Sequence, residues 1–542
     1  MLLVVLLRIK ISGTVEIFAV SAKFQAVDRD VRIQGVDYIL NIPLFGFNHN
    51  YIYKMLIRQS KNSFIRTTKK YGYIVNQLTR MDRCYDETGA DWLREISREP
   101  QDLDDIVHRL MGLYDDADLN TLRADFCEFV GSLAEHRFVV IGETVDALDQ
   151  ADLDFTYSIE NPKTLISDVP QLTKEEIPNN TQEVFFGSIK ESPSIVNLQF
   201  ELTSRCNERC IHCYIPNNKK NKGDVIPTEK VKSIIDEYAE MGGLQVSLSG
   251  GEAFLHRDII EIARYCREKD MKISILSNLM SITDAQIAAL KKLNISVIQV
   301  SLYSMDPEKH DYITTVKGSF YRTKASIEKL VEADIPVQIS CPVMKANLEG
   351  YEKVLEYAQS LKIKAHSDFI MMARSDLDTK NLDNRLSLVE TEQILRTIIE
   401  KDIDYRESTL QQLPISDRIQ FDLEKYLAEP VCGVGYDNCC IAANGDVYPC
   451  AGWQGFVLGN VYDNSLREIW NNSDRVKFLR TITHSSFPQC VVCEARDYCA
   501  ACLVRNFNES GGDMFAVNPH FCDVAFLTKR LVEEYKAKGI IH

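Results

Sequence analysis

The sequence predicts an α/β protein: a parallel sheet with helices outside it, a small winged-helix module before it and a compact cysteine-rich region behind it. Three observations carry that expectation. Between Ser194 and about Ala373, apolar runs of strand length alternate with amphipathic helical patterns, and repeated βα units of this kind fold as parallel sheets. Ahead of them, three short alternating stretches precede three helical patterns and a closing strand. Behind them, nine of the sixteen cysteines fall between Cys432 and Cys522.

The 542 residues leave room for roughly two to four domains. A net charge of −16 disfavours nucleic acid as a partner, since phosphates need basic patches. Clustered CxxC spacings in a chain of this size read as metal ligands in a reducing compartment, so a cytoplasmic protein is expected. The opening MLLVVLL has seven apolar residues before Arg8, too few for a membrane span or a signal segment, and no membrane partner is expected.

Residues 1–60 hold short apolar runs without period or motif and read as an extension of unknown role, with Met55 an alternative start. Residues 61–145 carry the winged-helix pattern. Its strands are expected at Phe64–Thr67, Tyr71–Gln77 and Arg80–Tyr85, its helices at Thr88–Ser97, Leu103–Tyr114 and Asn120–His136, and a closing strand at Arg137–Ile141. A winged helix can bind a duplex, but Phe64 to Glu143 hold 10 Lys and Arg against 16 Asp and Glu, the wrong sign for it. A peptide added along a sheet edge suits the module better. The stretches DETGADWLREI (Asp86–Ile96) and EFVGSLAEHRFVV (Glu128–Val140) resemble the PqqD-like precursor-recognition domain of peptide-modifying enzymes; a packing module is the competing reading. Residues 146–192 are acidic, Pro-containing and aperiodic. They read as a linker, and tethering would raise the local concentration of a weakly held substrate.

Residues 193–385 form the central α/β region. Candidate strands end near Leu202, Ser249, Ser277, Tyr303, Cys341 and Ala373. Helices are expected at Thr228–Met241, Arg257–Lys269, Thr283–Lys292, Ser319–Ala333 and Glu349–Leu361. At the first strand end stands ELTSRCNERCIHCY, Glu201 to Tyr214, in which Cys206, Cys210 and Cys213 make a CxxxCxxC loop. Three thiolates can hold three irons of a cubane and leave the fourth to a ligand that is not protein. Zinc, with His212 as a fourth ligand, is the competing occupant. One βα unit later the second strand ends in Gly250, Gly251 and Glu252. Paired glycines permit a close backbone approach, and a carboxylate beside them can bind an ammonium group.

With these two motifs in this order the chain resembles the radical S-adenosylmethionine (SAM) superfamily. The resemblance implies a partial (β/α)6 TIM barrel, open on one side to admit a large substrate, with its active residues at the C-terminal strand ends. It implies SAM and a 4Fe-4S cluster at Cys206, Cys210 and Cys213, with Gly250, Gly251 and Glu252 at the methionyl ammonium. Ser277, Asn278 and Ser301 would hold the carboxylate and the ribose, and Tyr214 would lie by the adenine. A strand-end Ser is otherwise a cap or turn residue, and Tyr214 has a core aromatic as its alternative. Asp368, Arg374 and Tyr303 also lie near strand ends, and no acid or base is singled out among them.

Residues 386–430 read as bridging helices, near Ser387–Asp402 and Ser416–Glu429. In residues 431–542 the order is Cys432, then Gly445 and Cys450 in CIAANGDVYPC, then Cys490, Cys493, Cys499, Cys502 and Cys522. This order resembles the SPASM extension, except that two residues, Ala500 and Ala501, separate its fifth and sixth cysteines where three are usual. By that resemblance there are two auxiliary iron-sulfur clusters of the 4Fe-4S kind. Cys490, Cys493, Cys499 and Cys522 would hold one, and Cys432, Cys450 and Cys502 the other, whose fourth position is open or filled by Cys439 or Cys440. Zinc competes here too. Cys84, Cys127, Cys266 and Cys341 have no partners at ligand spacing and read as buried small hydrophobes.

Together the resemblances imply an oxidoreductase that matures a ribosomally made precursor peptide. The leader would dock on the N-terminal module, the core peptide would enter the barrel mouth, and a 5′-deoxyadenosyl radical would abstract hydrogen from it. A thioether from a Cys to a carbon is the expected bond, and a reductant protein such as flavodoxin or ferredoxin would supply electrons. Carbon-carbon crosslinking and side-chain oxidation, as in sulfatase-maturing relatives, are the enzymatic alternatives. An iron-sulfur carrier or scaffold is the non-enzymatic one.

Overall fold

The computed structural model describes residues 3–11, 14–22, 55–114, 117–155, 187, 189–411, 413–414, 422–499 and 501–541. The chain divides into two units, Met1–Tyr53 and Lys54–His542. In the first, β1 (Leu3–Ile11) and β2 (Thr14–Ala22) make an antiparallel hairpin.

The second unit opens with the N-terminal module. β3 (Leu56–Gln59) precedes a meander of β4 (Ser63–Thr67), β5 (Gly72–Asn76) and β6 (Met81–Tyr85). A second sheet puts β3 between β7 (Gln101–Asp102) and β8 (Val139–Gly142). Helices Glu87–Glu95, Leu103–Met111 and Leu119–Glu135 each begin at an Asp (Asp86, Asp102, Asp118) whose carboxylate accepts a first-turn N–H. Their apolar faces close a core around Leu93, Ile106, Phe126 and Phe138. Among the described residues β6 pairs with β5 alone, and all five of its residues are half-buried.

Two boundaries of this module differ from expectation. β3 lies in the stretch read as an extension; four residues are too few to show a period, yet its pairing with β8 from Leu56↔Gly142 to Gln59↔Val139 makes it integral. After β8, helix Val145–Ala151 buries Leu148, and the Asp152 carboxylate accepts the Ser60 hydroxyl at 2.8 Å. The module therefore runs into the expected linker, whose residues 156–186 and 188 lie outside the described ones.

Six parallel strands follow in chain order: β9 (Asn197–Glu201), β10 (Gln245–Ser249), β11 (Lys272–Ser277), β12 (Val297–Ser301), β13 (Val337–Ser340) and β14 (Lys364–His366). Helices Thr228–Glu240, Ile259–Glu268, Asp284–Leu290, Ser319–Glu332 and Glu352–Ser360 alternate with them. Covered strands of this kind bury residues such as Val246, Leu248, Ile273, Ile275, Ile298 and Val300. The first five strands end within two residues of the expected positions; the sixth ends at His366 rather than near Ala373, because β14 is three residues long and carries Lys364 and His366. A further helix, Pro307–Thr314, is capped by Asp306.

The sheet does not stop at six. β15 (Asn438–Ile441) pairs parallel to β9, with Cys439↔Leu198 and Cys440↔Gln199, and β16 (Asp446–Tyr448) and β17 (Gly459–Asn460) continue it antiparallel. The cysteine-rich region thus shares one sheet and one core with the barrel, with Trp453, Leu458 and Trp470 packed in the same apolar cluster as Leu198 and Phe200. Helices Leu388–Lys401 and Pro519–Ala537 close the far side through Leu395, Ile399, Leu531 and Tyr535. Of the bridging helix expected at Ser416–Glu429, Leu423–Ala428 is helical and residues 415–421 lie outside the described ones.

The module seats on the turns that lead into β10, β11 and β12. Arg66 donates to the carbonyls of Gly243 and Asp270, each at 2.5 Å, and Arg98 Nε to Asp270 Oδ1 at 2.6 Å. Gln77 donates to the Asn294 carbonyl at 3.3 Å. The Phe64 ring lies under the guanidiniums of Arg98 and Arg267, 5.5 and 4.9 Å from its centroid.

Candidate active site at the C-terminal strand ends

The opposite ends of the same strands carry the cysteine loop. Its backbone is pinned from below by the Pro307–Thr314 helix, whose Thr314 and Ile313 carbonyls accept the N–H groups of Arg209 and Ile211 at 3.1 and 3.0 Å. From the side, Gly250 and Gly251 press against the chain entering the loop. A Cβ on Gly250 would stand 2.5 Å from the Thr203 carbonyl oxygen, and one on Gly251 2.3 Å from that of Arg205. Gly251 and Glu252 then donate to those two carbonyls at 2.7 and 2.8 Å. The close approach that these glycines permit here is that of the cysteine loop itself.

Glu252 is 2% exposed. Its Oε1 accepts the Ser277 hydroxyl at 2.6 Å and the Phe254 N–H at 2.9 Å, and its Oε2 the Asn278 N–H at 2.8 Å. Burial pushes its carboxyl above the ordinary range, against hydrogen bonds that favour the charged form. The Asn278 side chain donates to Asn207 inside the loop at 2.7 Å. Ser277 and Asn278, expected at SAM itself, therefore also tie the third strand end to the second and to the cysteines.

The three thiols gather around one ammonium. Lys220, 4% exposed, hydrogen-bonds to Cys213 and lies near Cys206 and Cys210; burial works against its charge and the thiols outweigh it. Cys206 is pushed up to about 11 and Cys210 well above the ordinary range, in both cases chiefly by burial. Among the described residues no three Cys, His, Asp or Glu side chains converge on the position of a single ion. Tetrahedral zinc would need sulfurs about 3.8 Å apart, from Zn–S near 2.3 Å. A cubane takes each thiolate on a different iron and spreads them wider. Three thiols and a polar pocket with unpaired atoms, Glu208 Oε1 and His212 Nδ1, fit a cluster with one corner left for a small polar ligand.

Three residues given no role from the sequence belong to this surround. Tyr303, 4% exposed, stands two residues beyond Ser301. Its hydroxyl lies 3.8 Å from Cys210 Sγ and reaches Ser301, and its ring meets that of His212 edge-on at 4.9 Å. Glu208 is the carboxylate within the loop. Glu201 closes β9, with Gln454 of the cysteine-rich region donating to its two oxygens at 2.8 and 3.0 Å and Lys219 donating to Gln454 at 3.0 Å. Burial pushes the Glu201 carboxyl up to about 7. Tyr214 faces Glu201, Cys440, Cys213 and Cys450, on the side of the cysteine-rich region.

In that region the thiols fall into two groups. Cys432, Cys450 and Cys502 make one, and Cys490, Cys493, Cys499 and Cys522 the other. Burial, with the neighbouring thiols behind it, pushes up Cys432 and Cys450 in the first and Cys490, Cys499 and Cys522 in the second. Strand alternation separates the adjacent pair on β15. Cys439 points outward into the core beside Tyr238, and Cys440 points the other way, toward Glu201 and Cys450.

Residues 200–373 match the family model of the Radical SAM superfamily, and residues 432–502 that of an iron-sulfur cluster-binding domain, SPASM. The chain carries a radical SAM domain and a SPASM domain. It is an enzyme whose radical SAM domain binds SAM and a 4Fe-4S cluster and whose SPASM domain binds auxiliary iron-sulfur clusters. It is similar to an AdoMet-dependent heme synthase of Methanosarcina barkeri, 29% identical over 331 residues that cover 58% of this chain and 93% of that protein. It is also similar to the antilisterial bacteriocin subtilosin biosynthesis protein AlbA of Bacillus subtilis (28% over 329 residues, 59% of this chain and 70% of that one). A PqqA peptide cyclase of Ruegeria pomeroyi is 27% identical over 283 residues, 51% of this chain and 74% of its own. In fold, the chain superposes on Streptococcus suis SuiB bound to precursor peptide SuiA with a TM-score of 0.57 at 16% identity, over 86% of this chain and 99% of that one. Among the described residues no helix is long and apolar enough to cross a membrane.

Proposed function

We propose that the protein is a maturase of a ribosomally made precursor peptide, in which residues 56–155 bind the leader and the barrel mouth takes the core peptide. The observation that carries this reading is the half-buried edge of β6, paired on one side alone among the described residues, on an acidic module attached to a radical SAM barrel. An extended peptide can add to such an edge. Relatives named for subtilosin biosynthesis and for PqqA cyclisation support it. Cys206, Cys210 and Cys213 hold the SAM-binding cluster; Glu252, Ser277, Asn278 and Ser301 surround SAM, with Gly250 and Gly251 setting the loop against them. Cys432, Cys450 and Cys502 hold one auxiliary cluster, and Cys490, Cys493, Cys499 and Cys522 the other. Held there and reduced, the cluster and SAM would supply the one-electron chemistry that removes hydrogen from an unactivated carbon. The chain's own share is to position the peptide and exclude water. The product is a thioether from a Cys of the core peptide to a carbon. The orientation of Cys440 bears on this choice: an iron left open beside Cys432, Cys450 and Cys502 could take a substrate thiolate, whereas ligation by Cys440 would leave none and favour carbon-carbon crosslinking. A flavodoxin or ferredoxin in the cytoplasm is the electron donor.

A second reading, modification of a tetrapyrrole, has the heme synthases among the relatives in its favour. Co-expression with candidate precursor peptides encoded near the gene, followed by mass spectrometry of those peptides, separates the two. A loss of about two hydrogens per crosslink, dependent on residues 56–155, is expected. An unchanged peptide, with turnover of an iron porphyrin by the same preparation, overturns the peptide reading.

A further inference from the structure

The residues of β9 to β13 that face the helices are buried, with Leu198, Val246, Ile275 and Ile298 at most 1% exposed. Those between them face the barrel lumen, and Gln199, Ser247, Ser274, Gln299 and Gln338 are all half-buried. A closed barrel fills that space with bulky branched apolar side chains. Here the lumen is lined by amides and hydroxyls and is open to water.

The two halves of the lining differ. On β9 to β11, Gln199, Ser247 and Ser274 stand in one row by register. There the two serine hydroxyls are 2.8 Å apart and Gln199 donates to the Ser249 hydroxyl at 2.8 Å. On β12 and β13, Gln299 and Gln338 are in register, and among the described residues neither side-chain amide has a hydrogen-bond partner. Strand spacing sets the two about 4.8 Å apart and places both about 7 Å below the next row, Ser301 and Ser340. Each amide offers donors and an acceptor side by side. A peptide group matches it on both, a carboxylate matches only its N–H, and an alkyl chain matches neither and strips its water.

We propose that Gln299 and Gln338 bind a backbone peptide group of the core segment, holding the carbon to be attacked against the strand ends above. The inference rests on the peptide-maturase reading. A contact to backbone fixes how deep the segment sits and leaves its side chains unread.

The test uses the full chain, reconstituted anaerobically with iron and sulfide, as wild type, Gln299→Leu, Gln338→Leu and the double variant, with a precursor peptide that the wild type crosslinks. Mass spectrometry gives KM and kcat for crosslinking, and equilibrium dialysis gives SAM affinity without peptide. The expected result is a KM for the peptide raised about tenfold by each single change, with SAM affinity retained. Methylation of one core backbone nitrogen should weaken the wild type to a similar degree and the double variant no further. A KM unchanged in the double variant, or an equal loss of SAM affinity, overturns the assignment. So does a loss reproduced by truncating a core Asn or Gln, which would make that side chain the ligand. If a Leu variant takes up less iron than the wild type, Gln299→Ser and Gln338→Ser replace it; the same rise in KM is expected, and an unchanged KM overturns the assignment. A wild type that crosslinks no precursor overturns the peptide reading and the assignment together, whereas variants that match an active wild type overturn the assignment alone.

Discussion

The two ends of the barrel strands are built from similar residues to opposite effect. At the N-terminal ends, Asp270 is met by Arg66, Arg98 and Gln59, Phe64 is covered by two guanidiniums, and none of these side chains has a buried polar atom without a partner among the described residues. At the C-terminal ends, Glu208 and His212 each bury an unpaired atom, and three thiols crowd one ammonium. Polar groups that satisfy one another make an interface; polar groups held together unsatisfied make a place for a ligand. The difference assigns docking to one pole and chemistry to the other.

The sharpest way to break that contrast is to replace Cys206, Cys210 and Cys213 together with Ala. SAM cleavage should fall to background, and about four of about twelve irons per chain should be lost if all three clusters are 4Fe-4S. Retained cleavage would move the chemistry elsewhere. Next in size, Glu252→Gln should weaken SAM binding by about tenfold or more while iron content stays unchanged, read by equilibrium dialysis. At the other pole, Asp270→Ala should leave Arg66, Arg98 and Arg267 facing each other. It should cost about 2–3 kcal/mol in denaturant unfolding and leave SAM cleavage without peptide at its wild-type rate. A fall in cleavage would mean the poles are coupled.

An effect of comparable size concerns pH. The Glu201 carboxyl, raised to about 7 by burial, keeps a proton in the folded chain that an unfolded Glu releases near pH 4.5. The folded state thus binds more protons across that window, and stability falls as pH rises from about 4.5 to about 7, by up to about 3 kcal/mol. Glu201→Gln should remove most of that slope, seen as a smaller drop in melting temperature between pH 5 and pH 8.

What is legible in the sequence follows from burial. β9 to β13 read clearly because buried apolar residues alternate with half-buried ones along each strand and amphipathic helices separate them, and the cysteines read clearly because their spacing is local. β14 is displaced from its expected position, and β3 and β15 escape a linear reading, since three or four residues do not establish a period and Asn438–Ile441 draws attention to its thiols instead. Helix Pro307–Thr314 has little amphipathic pattern, and the signal that marks it is Asp306 followed by Pro307, a helix start. Tyr303, Lys220 and Gln454 reach the site through tertiary structure, in no pattern that a linear reading ranks.

The seating of the N-terminal module on the turns before β10, β11 and β12 has a geometric consequence for any peptide that it holds. The strands rise about 15–20 Å, and with the loops at each end the outer wall stands roughly 30 Å high. A fully extended chain needs about nine or ten residues to climb it. The module would then act as a ruler: residues too close to the docked segment stay out of reach, and the first position open to attack is set by the height of the wall.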